Sequence, residues 1–540
     1  MEGLLYVTMH PKASLPPAQF HDWYNNEHGP LRLRLPFVTN GFRYRAVDSL
    51  EPEWVALYDI TDMAELTREP YLALRGDGIK TQREKNTMAQ IAVDRRLYDL
   101  LDDQKAPGYA PLEDLTDNES DGAVLIAVSF TLSDPARQDE VDAWYREEHL
   151  PMLSRVPGWR RSRRYVTSSI DPNAPKELIS LYEYAAQNGL NGPEHQAAMN
   201  TAWGNKVKSE CVADKKRRVY RWAYTFGPAP RELHSLASSE VAGPWNSNDR
   251  RTKTLPSSRP AVESFITTPD GVDLPYRLEG STDPRSPVIV LSNSILVDYS
   301  IWDGFVDAFL SHPANSNYRI LRYLTRGRLQ KCGEKDINID VLAGDIVALL
   351  DALRIPQATL IGVSLGGVTV LNTALLYPSR ITKFIACDTN SSSPATNRKA
   401  WDDRVTMAEN DRAVSPATNE TIIGESLAEV TTRRWFVDES YETQPALAER
   451  IKNVVRDNSL EGFRKAVQAL CAYDVRERMA NATVPGLFVA GSGDGVLPQT
   501  MQKMAQDLKG DAELKIVDKA GHLPMVEQPE AFTKIVQEFL

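Results

Sequence analysis

The segment WYNNEHGPLRLRLP, beginning at Trp23, returns as WYREEHLPMLSRVP at Trp144, 121 residues further along the chain. Such a repeat commits the first half of the sequence to two copies of one small domain, because like segments obey like local rules. The register persists beyond the motif: Tyr44 and Tyr165 keep the same offset, and ALYDI and SLYEY recur after a small insertion. Each copy opens on a strand-like run, GLLYVTMH or AVLIAVSF. A helical segment follows, and then β-rich stretches ending near RRLYDLL or RRVYRWAY. That order predicts an α+β domain over residues 1–101 and again over 122–228. Phe20, Trp23, Tyr24 and Glu27 fall at helical spacing, as do Val141, Trp144, Tyr145 and Glu148, so this face packs or binds something.

The copies are joined by DDQKAPGYAPLEDLTDNESD, residues 102–121, whose Pro, Gly and acidic content reads as a linker. A second linker, residues 229–260, is rich in Ser, Pro and Asn and has little periodicity. A third domain is expected over 261–540. With 540 residues the chain exceeds what one hydrophobic core organises, so several domains are required on size alone.

In that third domain the apolar runs PVIVLSN, YRILRY, ATLIG, KFIACD, GLFVAG and ELKIVD alternate with helical patterns, predicting a mainly parallel sheet between helices. Within LIGVSLGGVTVL, Ser364 stands at a strand-to-helix junction between Gly362 and Gly366. A sharp turn there presents the serine hydroxyl, and the glycines keep the surroundings uncrowded, which is the arrangement of a nucleophile elbow. Asp494 in AGSGDGVLP and His522 in KAGHLPMV follow later strands in the order Ser, Asp, His. His522 would take and return the serine proton, and Asp494 would orient the imidazole. Leu365 is the expected first oxyanion donor, and Ser294 or Ile295, in the loop after PVIVL, the second.

Taken together, VIVLSNSILVDYSIWD, YRILRYLTRGR, DIVALLDALRIPQATLIGVSLGG, RWF and KAGHLPMVEQPEAF resemble the α/β-hydrolase family that contains 3-oxoadipate enol-lactonase. The resemblance implies hydrolysis of a lactone or ester through an acyl-serine, with no metal and no organic cofactor. It also implies a helical cap, here about residues 391–475. Trp401, Trp435 and Phe436 lie in that stretch and either line the pocket or pack the cap. Arg326 matches the family's Arg-Gly after the third core strand and either meets a substrate carboxylate or forms a structural ion pair. The repeated WYxxEHxP pattern resembles the EthD-like branch of the dimeric α/β-barrel, ferredoxin-like family. There paired units close one barrel, which implies an intramolecular pseudo-dimer over residues 1–228.

His28 and His149 occupy matching positions, each after a glutamate. They make a candidate second site, in which His and Glu act as acid and base, or they mark helix termination at Pro30 and Pro151. The alternative function follows from it: a lyase or cyclase in the N-terminal repeats acting on a polyketide-like aromatic, with the hydrolase domain auxiliary. The formal charge of −11 gives no reason to bind phosphate backbones or anionic membranes, so a small-molecule lactone or ester is the expected partner, and homo-oligomerisation stays open. The basic run WRRSRRY is expected on a solvated strand face. Four scattered cysteines, no leader and no membrane-length apolar run lead to the expectation of a cytoplasmic protein, and no histidine spacing suggests a metal.

Overall fold

The computed structural model describes residues 1–76, 78–510 and 512–540. Met1–Pro230 with Ser238–Asn248 form one compact unit, and Arg231–Ala237 with Asp249–Leu540 form a second.

The first unit is built on eight strands: β1 (Gly3–Pro11), β2 (Phe42–Ala46), β3 (Trp54–Ile60), β4 (Ile91–Lys105), β5 (Val124–Leu132), β6 (Trp159–Thr167), β7 (Leu178–Tyr184) and β8 (Val212–Thr225). They close into a barrel in the order β1-β3-β2-β8-β5-β7-β6-β4. Closure depends on the two longest strands. β4 pairs along its first part with β1 of its own copy and along its last part with β6 of the other. β8 likewise begins on β5 and ends on β2. Inside, Tyr44, Tyr98, Tyr165 and Tyr220 pack with Leu57 and Leu181 into one core. β7 is buried along its whole length because helices cover its other face, which is why its sequence shows no polar alternation. Each fully buried aliphatic or aromatic side chain contributes roughly 1.5–3 kcal/mol.

The WYxxEH segments do not form plain α-helix. Tyr24–His28 and Tyr145–His149 are each one π-helical turn. Pro30 and Pro151, just beyond, bring no backbone N–H for an i→i−4 bond, and the wider turn accommodates this loss. Its five-residue repeat sets Trp23 against His28 and Trp144 against His149, with ring centroids 4.7 and 4.4 Å apart.

Three expectations differ from the structure. β4 runs to Lys105, inside the first linker, and Asp117–Ser120 adds a short helix with a capping box. The second linker is divided between the two units and contributes the strand Lys253–Leu255 to the second. The basic run WRRSRRY is not a solvated face: Arg163 is 2% exposed and held by Asp59 and Glu183, while Arg164 reaches Asp142 and lies 3.9 Å over the Tyr145 ring. Acidic partners reached only in the tertiary fold bring these arginines inside.

The second unit's sheet begins at one edge with Glu513–Val517 and continues through Gly486–Gly491, Ile381–Cys387, Ala358–Val363, Val288–Ser292 and Arg319–Tyr323, all parallel. Asp273–Gly280, Ala261–Thr267 and Lys253–Leu255 then extend it antiparallel. The central strands are buried throughout, as apolar runs covered by helices on both faces must be. Between Cys387 and Gly486 the chain leaves the sheet for a helical insertion that includes Asn397–Asp411, Glu425–Trp435, Pro445–Arg456 and Leu460–Cys471. Among the described residues no helix is long and apolar enough to cross a membrane.

Candidate active site

Ser364 lies between the end of strand Ala358–Val363 and the start of helix Leu365–Leu376, with φ 58° and ψ −117°. An L-residue in this left-handed region carries backbone strain of roughly 1–3 kcal/mol, which the surrounding structure must outweigh. It is clamped from both sides: Ser364 N–H donates to Cys387 O at 2.9 Å, and Thr389 Oγ1 donates to Ser364 O at 2.8 Å. The glycines are sterically required. A Cβ on Gly362 would come within 2.2 Å of Gly366 O, and one on Gly366 within 2.2 Å of Ser292 O. Leu365 opens the helix, so its N–H has no intrahelical acceptor and can serve an anion.

Ser364, Asp494 and His522 border one cleft of about 530 Å³ in the second unit. His522 Nδ1 and Asp494 Oδ2 are 2.7 Å apart. The imidazole stacks on Trp435 at 5.7 Å, and His522 N–H donates to Trp435 O at 2.7 Å, so the insertion helps to place the ring. Ser364 Oγ makes no hydrogen bond to any described residue and opens onto the cleft. Burial pushes the Asp494 carboxyl up, but His522 beside it and the hydrogen bonds it receives prevail and hold it below the usual carboxylate range.

The other sequence candidates separate clearly. Ile295 borders the cleft, whereas Ser294 does not, and its buried Oγ has no partner. The loop is anchored through Asn293, which donates to Tyr323 O and accepts from Trp302 Nε1. Trp401 and Trp435 line the cleft; Phe436 is buried outside it. Arg326 is corrected as a substrate contact. Its side chain is 1% exposed and its guanidinium is fully engaged by Asp345, Asp270 and Cys332 O. The acidic partners lie 56 residues before it and 19 after it, so only the fold brings them around Arg326.

Sequence reasoning missed three cleft residues. Arg404 and Arg434, both from the helical insertion, line the cleft, and neither has a hydrogen bond or ion pair to a described residue. Arg404 lies 4.4 Å over the Trp401 ring. Surrounding protein, then the charge of Arg434, lowers Arg404 to about 10, and desolvation lowers Arg434 as well. Asp494 acts on Arg434 through space and Asp403 on Arg404, but two cations without a direct ion pair, held this way, attract an anion. The spacing in WDDR was a usable signal, since Trp401 and Arg404 are one helical turn apart. The third residue, Asp388, follows the strand beside that of Asp494 and is 1% exposed. Its Oδ1 accepts Gly491 N–H at 3.0 Å, and its carboxyl stands against that of Asp494. Burial, reinforced by the Asp494 charge, raises this carboxyl well above the usual range. Among the described residues no group of three or more His, Cys, Asp or Glu is placed to hold a metal ion.

A family profile described as alpha/beta hydrolase fold matches residues 301–529. 3-Oxoadipate enol-lactonase 1 of Acinetobacter baylyi is 30% identical over 279 residues, 51% of this chain and 96% of that protein. Enol-lactonase 2 of the same organism is 28% identical over 50% of this chain and 94% of its own length. The crystal structure of the enol-lactonase from Burkholderia xenovorans matches 51% of this chain and 98% of its own at 29% identity, with a TM-score of 0.45. Through its second unit the chain belongs to the α/β-hydrolase family and is an enzyme, a hydrolase.

Proposed function

We propose that the cleft hydrolyses a lactone or carboxylic ester that itself bears a carboxylate, through an acyl-serine on Ser364. The observation that carries this reading is one cleft bordered by a strained serine with a free hydroxyl, a His–Asp pair and two arginines without a direct ion pair to a described residue. His522, oriented by Asp494 through Nδ1, takes the Ser364 proton on its other ring nitrogen as Oγ attacks the carbonyl. The Leu365 and Ile295 amides receive the oxyanion. Collapse of the tetrahedral species breaks the acyl–oxygen bond, and His522 returns the proton to the leaving oxygen. Water, deprotonated by the same imidazole, then releases the acid and frees Ser364. Arg404 and Arg434 hold the remote carboxylate and Trp401 packs the carbon skeleton. The relatives named enol-lactonases fit this substrate class.

We read the first unit as two EthD-like, ferredoxin-like copies closed into a pseudo-dimeric barrel. The repeat and the shared long strands support that reading.

An aryl phosphonate should add one phosphonyl mass at Ser364, and Ser364→Ala should abolish both labelling and turnover. A panel of lactones with and without a free carboxylate then tests the substrate class. Equal kcat/KM for the acid lactone and its methyl ester would contradict the role given to the arginines.

A further inference from the structure

The two copies in the first unit fill the space beside their matched histidines differently. In the first, Glu84 occupies it: Trp23 Nε1 donates to Glu84 Oε2 at 2.6 Å, and His28 Nδ1 lies 2.9 Å from Glu84 Oε1. In the second, no carboxylate of the described residues bonds His149. Trp144 Nε1 turns to Glu148 on its own helix, and Thr201 Oγ1 donates to that same oxygen. A cavity of about 50 Å³ is left between the helices and the strands, walled by His149, Trp144, Tyr145 and Phe130.

His149 is 5% exposed, and its Nδ1 has no partner. A neutral imidazole protonated on its other nitrogen presents this Nδ1 as an unpaired acceptor. Burial lowers its pKa to about 3, so the ring is neutral at pH 7. Lys208, Lys215 and Arg217 border the same cavity, and no carboxylate does. Lys208 donates to Met199 O, whereas Lys215 and Arg217 have no hydrogen bond or ion pair to a described residue. Being two apart on β8, opposite Phe130 and Val128 of β5, they share the helix-side face. In the first copy the residues opposite Met9 and Val7 are Val93 and Arg95, and Arg95 is engaged by Tyr71. Two unpaired cations side by side on this strand face are thus found in the second copy and not at the matching positions of the first.

We infer that the second copy, and not the first, holds a binding site for a small hydroxylated organic anion. The carboxylate sits on Lys215 and Arg217, a short carbon skeleton lies against the aromatic wall, and a hydroxyl donates to His149 Nδ1. At roughly 10–15 Å³ for each water-sized occupant, the cavity admits a skeleton of only a few carbons. The inference is independent of the proposed hydrolysis.

The test is a saturation-transfer NMR titration of the full-length protein with 4-hydroxybutanoate, with 4-hydroxybutanamide and butanoate as controls. The acid should bind and the amide should not. Lys215→Gln/Arg217→Gln, at exposed positions, should weaken the acid by about tenfold or more, since each charge-assisted bond is worth more than a neutral one. His149→Phe should weaken 4-hydroxybutanoate and leave butanoate unaffected. Binding should persist in Arg404→Gln/Arg434→Gln, which separates this site from the hydrolase cleft. No binding to the wild-type protein, equal binding of the amide, or indifference to Lys215→Gln/Arg217→Gln would each overturn the site.

Discussion

His28 in the barrel and His522 in the hydrolase unit have nearly the same immediate wiring. Each lies against a tryptophan, and each places Nδ1 within 2.9 Å of a carboxylate, Glu84 in one case and Asp494 in the other. What differs is the far side of the ring. His28 is enclosed by the aromatic core around Tyr24, Tyr58 and Phe226, while His522 borders a cleft that also exposes a strained Ser364. A His–carboxylate pair is therefore a common structural device, and reactivity needs a nucleophile, an oxyanion donor and room for substrate.

The largest effect expected is at the pair's chemical partner. Ser364→Ala and His522→Ala should each cut kcat by about 10⁴-fold or more in ester-hydrolysis assays, whereas His28→Gln should leave kcat/KM unchanged. Loss of turnover in a folded His28→Gln protein would erase the distinction between the two histidines. Next come the cleft arginines: Arg404→Gln or Arg434→Gln should raise KM for a carboxylate-bearing ester about tenfold with kcat nearly kept, and should not affect the matching neutral ester.

A smaller effect is expected at Asp388, the buried carboxyl that stands beside Asp494 and is pushed up by burial and by the Asp494 charge. Asp388→Asn keeps a side chain of the same shape at a position with φ 44°, which asparagine tolerates, and should retain most of kcat. Asp388→Gly removes the group without strain and should lower kcat about tenfold, the pH–rate profile reporting the change.

The smallest effect is on stability. Burial, the leading cause, with Arg32 adding to it, lowers His28 to about 4. Below about 6.5 the unfolded chain takes up a proton that the folded chain refuses, so stability is full above that pH and falls as pH drops towards 4. Glu84 acts in the same direction at lower pH. Although burial pushes it up, His28 and the hydrogen bonds it receives hold it at about 2, and its contribution fades between about 4.5 and 2. Thermal melts across this range should show the barrel weakening in acid, and His28→Gln should flatten the slope between pH 6.5 and 4.

Legibility in the sequence followed the distance over which each cause acts. The Gly362-Val363-Ser364-Leu365-Gly366 turn could be read because its constraint is local: a strand end, a helix start and two positions with no space for a Cβ. The repeat could be read for the same reason, since its aromatic spacing is set within one helix. The π-turns could not, because periodicity templates assume an α-helical step. The sequence left Arg326 open between a substrate contact and an ion pair, and put WRRSRRY on a solvated face, because a guanidinium's fate depends on which carboxylates the fold delivers.

The sequence by itself determined the duplication, the strand–turn–serine–helix junction and the order of serine, acid and histidine, each an interaction among near neighbours or a property of chain order. Only the tertiary structure decided which arginines are neutralised and which face an open cleft, that Asp388 stands beside Asp494, and that one repeat is plugged by Glu84 while the other keeps a cavity. Charge compensation and empty space are made by groups far apart along the chain, so neither exists until packing has brought those groups together.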